Sequence, residues 1–113
     1  TQQLGNSSSS NAKAVATDSS DNIYVAGSTS GGLDGNSSAG SQDIIVVKYD
    51  SSGAKQWTQQ LGTSSSEGAN AIATDSSGNV YIAGLTKGGL DGNSSAGDGD
   101  IFVVKYDSDG NKQ

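Results

Sequence analysis

The residues best suited to chemistry lie in a long Gly-, Ser- and Asp-rich segment that occurs twice, at residues 27–43 and 84–100. Carboxylate and amide oxygens are ligands that Ca²⁺ prefers, so one hypothesis is a loop site for a carbohydrate or another surface ligand, assisted by calcium. The candidate ligand-binding residues are Asp34, Asn36, Asp43, Asp91, Asn93 and Asp100. The candidate calcium ligands are Asp91, Asn93, Asp98 and Asp100. The alternative is structural, because Asp and Asn also cap turns and Gly supplies positive φ.

Composition excludes catalytic centres of the common kinds. The chain has no Cys and no His, so it has no thiolate or imidazole ligand, no Cys-His or Ser-His-Asp nucleophile and no histidine acid–base catalyst. A glycosidase would need two carboxyl groups facing each other across a cleft. Every Asp is expected in a turn or loop, and Glu67 is the only Glu, so no such pair stands out. We therefore expect no enzyme activity and no resident cofactor other than the calcium considered above.

The charge of the chain and the length of its apolar runs argue against two kinds of partner. Six Lys, no Arg and 12 acidic residues give a net charge of −6. Phosphate contacts need clustered basic side chains, so we expect no nucleic-acid partner. No apolar run approaches the roughly 18 residues of a membrane span, so we expect no membrane partner either.

Two tandem copies of one unit fill the chain. Residues 1–56 align without a gap to residues 58–113, an offset of 57, and 41 of the 56 aligned pairs are identical. A repeat of this length cannot bury its own apolar surface, so such units stack or close on one another. The chain is one residue short of two whole units, at the position that matches Trp57. A start Met trimmed there would fit a designed or excised two-repeat unit, and a natural fragment is the alternative.

Each copy predicts four short β-strands separated by turn signals, with no helical period. In the first copy they cover residues 12–17, 23–26, 44–49 and 55–61. Ala12, Ala14 and Ala16 alternate along the first strand, so they are expected on one face, where neighbouring sheets can approach closely at an axis. The third strand is apolar on both faces and must be covered on both. The polar fourth strand suits an outer edge.

Four antiparallel strands per repeat describe a β-propeller blade, which makes this an all-β chain with two blades. Residues 73–84 and 100–107 resemble the bacterial SBBP-type β-propeller repeat, and the resemblance extends over essentially the whole chain, including residues 55–62. It implies a propeller fold and a secreted or cell-surface bacterial origin, although this two-repeat unit is expected to be produced in the cytoplasm. Absence of Cys fits either side of a membrane. The resemblance implies little about activity.

The repeat boundaries predict how copies join. Residues 1–5 are an outer strand that completes a blade of a neighbouring chain, residues 6–62 form blade 1, and residues 63–113 form blade 2 without its outer strand. Head-to-tail exchange gives a symmetric ring, as a trimer with six blades or a tetramer with eight. The expected assembly residues are Thr1, Gln2, Gln3, Leu4, Ile101, Val103 and Tyr106. A two-blade monomer is the alternative, with both outer blade faces in water.

Overall fold

Seven β-strands form the described part of the chain, which covers residues 3–5, 10–32, 42–63, 66–88 and 99–113 of the computed structural model. The strands are β1 (Ser10–Thr17), β2 (Ile23–Thr29), β3 (Asp43–Tyr49), β4 (Lys55–Leu61), β5 (Glu67–Thr74), β6 (Val80–Thr86) and β7 (Asp100–Tyr106). Within these ranges no helix has the length and hydropathy needed to cross a membrane. The expectation of an all-β chain is confirmed.

Two antiparallel sheets match the two copies of the repeat. Sheet 1 has the order β1-β2-β3-β4 and sheet 2 has the order β5-β6-β7. Equivalent strands pair in the same register in both sheets. Val25 pairs with Val47 in sheet 1, and its counterpart Ile82 pairs with Val104 in sheet 2. The polar fourth strand β4 lies at an edge, as its composition predicted.

Hydrogen bonds from the turn backbone to one Asp shape each hairpin. Asp75 Oδ1 accepts hydrogen bonds from the backbone N–H groups of Ser77 and Asn79, at 2.9 and 3.0 Å, and its Oδ2 accepts one from the Tyr81 hydroxyl at 2.9 Å. The side-chain amide and the backbone N–H of Asn79 are the main reasons that the pKa of Asp75 falls to about 2. The same turn begins at Asp18, Asp50 and Asp107.

A β-bulge in the first strand of each sheet changes which side of the sheet the first of the three alanines faces. Ala12 pairs with Gly27 and Ala14 pairs with Ala26, so Lys13 is left outside the register. Side chains on paired residues share a face, and neighbours along a strand alternate. Ala14 and Ala16 therefore face one side of sheet 1, whereas Ala12 faces the other. The prediction of three alanines on one face is wrong for Ala12.

The two sheets pack face to face and converge at one edge. We call the side of each sheet that looks toward the next sheet along the chain its forward face, and the opposite side its rear face. The forward face of sheet 1 packs on the rear face of sheet 2 around a buried core. The closest backbone approaches between the sheets involve β5 with β1, β2 and β3, so the sheets draw together at β1 and β5. This wedge is the shape of neighbouring propeller blades.

Candidate functional site: the open blade faces

The contact between the two sheets shows which side chains cover a blade face. Both contributing faces are largely apolar. Sheet 1 contributes Tyr24, Ala26, Ile44 and Val46, with Trp57 and Leu61 packed beside them, and sheet 2 contributes Ala69, Val80, Ile82, Phe102, Val104 and Tyr106. The Trp57 ring lies 6.2 Å from that of Tyr24 and 6.1 Å from that of Tyr106, centroid to centroid. These aromatic rings fill the space between the sheets.

Polar contacts fix the relative position of the sheets at the hairpin end. The Lys48 ammonium and the Trp57 indole N–H both donate to the Ser108 carbonyl, at 2.9 and 3.1 Å. The Thr74 hydroxyl donates to the Thr17 carbonyl at 2.7 Å. A Cβ on Gly110 would lie 2.8 Å from Trp57 Cδ2, so the turn before Lys112 approaches the indole at a position where only glycine fits. Each contact therefore joins a side chain of one copy to the backbone of the other.

The forward face of sheet 2 is open. Leu85 is 49% exposed, Ile101 82% and Val103 70%. Their counterparts in sheet 1 are covered, with Ser28 at 3%, Ile44 at 1% and Val46 at 1%. Equivalent side chains thus differ in exposure because sheet 1 has a neighbour on this side and sheet 2 has none among the described residues.

The rear face of sheet 1 forms an apolar groove. It has a volume of about 420 Å³, and its lining includes Ile23, Val25, Ile45 and Val47. Leu4 lines the same groove. Val15, at the margin of this face, is 66% exposed, whereas its counterpart Ile72 packs against the core. The groove lies on the face that corresponds to the rear face of sheet 2, and Ile45 and Val47 within it are 7% and 2% exposed.

The outer edge of β7 carries only the beginning of a fourth strand. Tyr106 pairs with Lys112, and the Gln113 N–H donates to the Lys105 carbonyl at 2.9 Å. In sheet 1 the equivalent pair, Tyr49 and Lys55, opens β4. Among the described residues no other segment pairs with the outer edge of β7.

The buried acids Asp43 and Glu67 lie at the loop end of the sheets. Asp43 Oδ2 accepts a hydrogen bond from the Gln60 side-chain amide at 2.8 Å, and Glu67 Oε1 accepts one from the Thr63 N–H at 2.7 Å. Asp43 opens β3 and Asp100 opens β7, so the prediction that every Asp lies in a turn or loop is wrong for both. Asp43 and Glu67 are 0% and 2% exposed, so both are buried and hydrogen-bonded at this end of the sheets.

Most of the predicted loop site lies outside the residues that the structure describes. Five of its residues lie outside the described ranges, namely Asp34, Asn36, Asp91, Asn93 and Asp98. Asp43 is fully buried and Asp100 is half-buried at the start of its strand. Across the ranges described above, no three acidic side chains come together as a metal site.

The predicted assembly residues fall in different places. Ile101 and Val103 lie on the open forward face, Leu4 lines the groove, and Gln3 is exposed. Thr1 and Gln2 lie outside the described residues. The Tyr106 side chain is buried against Trp57 inside the chain. Sequence reasoning missed Leu85, for which the available signal was that a leucine stands where the first copy has Ser28.

Comparisons with known proteins agree with this geometry. A family model described as the SBBP beta-propeller repeat matches the chain twice, over residues 1–34 and 56–91. The chain is also similar to a protein of Caulobacter vibrioides named Regulatory protein FlaEY, with 33% identity over 79 residues. That alignment covers 67% of this chain and 8% of the relative, so the chain corresponds to a small part of that protein.

Proposed function

Because this chain belongs to the SBBP β-propeller repeat family, we propose that it is a structural module, without catalytic activity, whose copies join head to tail into a closed propeller ring. Its partner is another copy of itself rather than a nucleic acid or a membrane, and its net charge of −6 supports this. Three copies give six blades and four give eight.

The observation that carries this proposal is the unequal exposure of equivalent side chains. Ile44 is 1% exposed and Ile101 is 82% exposed, although they occupy the same position of the repeat. The internal contact shows that the forward face of one sheet fits the rear face of the next. Since the exposed surface of sheet 2 is a forward face and the groove of sheet 1 lies on a rear face, a second copy offers each of them the partner that it has inside the chain. Such a contact is heterologous, so it closes into a ring when the rotation allows it.

A polar contact supports the same arrangement. Lys105 lies over the Tyr81 ring at 5.6 Å, as Lys48 lies over Tyr24 at 5.6 Å. Lys48 also donates to the carbonyl of the turn opposite, at Ser108. In the proposed ring Lys105 donates to the equivalent carbonyl, which belongs to Ser51 of the next copy.

Strand exchange completes the second blade. In sheet 1 Leu61 of β4 pairs with Ile44 of β3. The same register pairs Leu4 of one copy with Ile101 of another, and it brings Gln3 beside Phe102. Leu4 already lies against the rear face of its own sheet 1, as Leu61 packs on the core next to sheet 2. Residues 1–5 then form the outer strand of the neighbouring blade, and the residues that follow lead into sheet 1.

Solution mass tests the ring directly. Light scattering at micromolar concentration should give a single species of three or four times 11.2 kDa. Val103→Asp places a charge on the open face and should yield the monomer. The matched control is Ser52→Asp, which adds the same charge in an exposed turn where the second copy already carries Asp109, and it should keep the mass. A wild-type monomer that unfolds cooperatively would overturn the proposal.

A further inference from the structure

One position on the blade face differs in chemistry between the two copies. Ser28 is buried where sheet 1 meets sheet 2, and a Cβ on Gly68 would lie 3.9 Å from its hydroxyl oxygen. The internal junction thus places a small residue against a glycine. The counterparts of these residues are Leu85 and Asn11, so the junction between copies places a leucine at the same point.

The groove on sheet 1 includes Asn11 in its lining. Its lining also includes Ala12, Ile45 and Leu4. The volume of the groove, about 420 Å³, exceeds that of a leucine side chain. Asn11 stands in the first sheet where Gly68 stands in the second. Leu85 is the counterpart of Ser28, so it is the side chain that would meet Asn11 of the next copy.

Leu85 also has apolar neighbours along the face. It pairs with Ile101 across β6 and β7. In the register of sheet 1, where Ser28 pairs with Ile44 and Ile44 with Leu61, the next member of this row is Leu4 of the second copy. Leu85, Ile101 and Leu4 then make one apolar row across three strands.

From these placements we propose that Leu85 is the anchor residue of the contact between copies and that it inserts beside Asn11 in the groove of the next copy. This inference rests on the proposed ring. A half-exposed leucine that becomes enclosed by apolar groups gains more from leaving water than the serine at the matching position. In an interface a few well-packed, desolvated residues carry most of the binding free energy.

Paired cysteines test the contact in a chain that has none of its own. In the variant Asn11→Cys/Leu85→Cys, oxidation should join different copies, because Asn11 lines the groove of sheet 1 and Leu85 lies on the exposed forward face of sheet 2. Denaturing electrophoresis without reductant should show covalent multimers, ending at the mass of the ring. The matched pair Ser28→Cys/Gly68→Cys occupies the same repeat positions at the internal junction and should give a disulfide within a monomer.

A serine replacement measures how much the anchor contributes. Leu85→Ser installs the residue that the first copy carries at this position, and it should raise the dissociation constant of the ring about tenfold or more. The control Lys87→Ser makes the equivalent exchange at an exposed residue two positions along and should leave the constant unchanged. If the wild type forms a ring but no intercopy disulfide forms and Leu85→Ser leaves the dissociation constant unchanged, the role of Leu85 is refuted and the ring is not. A wild-type monomer would overturn the ring itself.

Discussion

Single carboxylates stabilise the hairpin turns of this protein by accepting hydrogen bonds in their ionised form. The pKa of Asp75 is lowered to about 2 from its ordinary value of 3.8, chiefly by the Asn79 amide and backbone. The pKa of Asp107 is lowered by the equivalent hydrogen bonds from Asn111. Because the pKa is lower in the folded state, the unfolded state takes up protons first as the pH falls.

The turn carboxylate at Asp75 should therefore stabilise the fold in a pH-dependent way. Its contribution is present above pH 3.8 and is lost as the pH falls through about 2. Asp75→Ala should lower the melting temperature at pH 7, and its difference from the wild type should narrow from pH 4 to pH 2. Circular dichroism melts across this range check the expectation. Asp109→Ser, which installs the residue of the first copy at an exposed turn position, serves as the control, and an Asp75 effect independent of pH would contradict the argument.

At the scale of one strand, the bulges in β1 and β5 depend on the glycines that face them. A Cβ on Gly27 would overlap the Asn11 carbonyl oxygen, and one on Gly84 would overlap the Gly68 carbonyl oxygen. The Gly84 Cβ would also lie 2.9 Å from the Phe102 ring. These glycines let β1 and β5 approach β2 and β6 where the register shifts.

Alanine at either glycine should therefore destabilise its sheet. We expect Gly27→Ala and Gly84→Ala each to cost about 1–3 kcal/mol, with Gly84→Ala the more severe because the ring must move as well. Urea unfolding measures the difference. Gly99→Ala is the control, since no atom of the described residues lies within 4 Å of its added Cβ. Equal midpoints for all three variants would show that the bulge does not need glycine.

The N-terminal segment, residues 1–5, is the part of the chain on which the proposed exchange depends. Deleting residues 1–5 removes the segment that would pair with the outer edge of β7, and it removes Leu4 from the groove. The shortened chain should lose the ring and melt at a lower temperature. Light scattering and a thermal melt of the same sample check both effects. An unchanged mass would refute strand exchange while leaving contact between the blade faces intact.

For the molecule as a whole, folding and association should be coupled. Ile101 and Val103 are 82% and 70% exposed in the single chain, so association removes apolar surface from water that folding alone does not. Mass action then makes the melting temperature rise with protein concentration. A dilution series followed by calorimetry checks this, and Val103→Asp, as the monomeric control, should melt at one temperature throughout. A wild-type melting temperature independent of concentration would argue for a self-sufficient monomer.

The sequence by itself determined the elements that depend on local chemistry. Asp-Ser-Ser and Gly-Asn motifs form hairpin turns through hydrogen bonds within five residues, and β-branched runs such as residues 44–47 form strands whatever packs on them. The repeat of 57 residues made both sheets alike in register, and the family followed from the same residues.

Tertiary structure alone decided what each face of a strand meets. Ile44 and Ile101 have the same local sequence pattern, yet one is covered and the other open, because sheet 1 has sheet 2 beside its forward face. The bulge that turns Ala12 to the other side arises from backbone pairing with Gly27. The Glu67 N–H donates to the Gln42 carbonyl at 2.9 Å, which joins the start of β5 to the residue that precedes β3. Each of these outcomes depends on contacts between segments distant along the chain, which local periodicity does not encode.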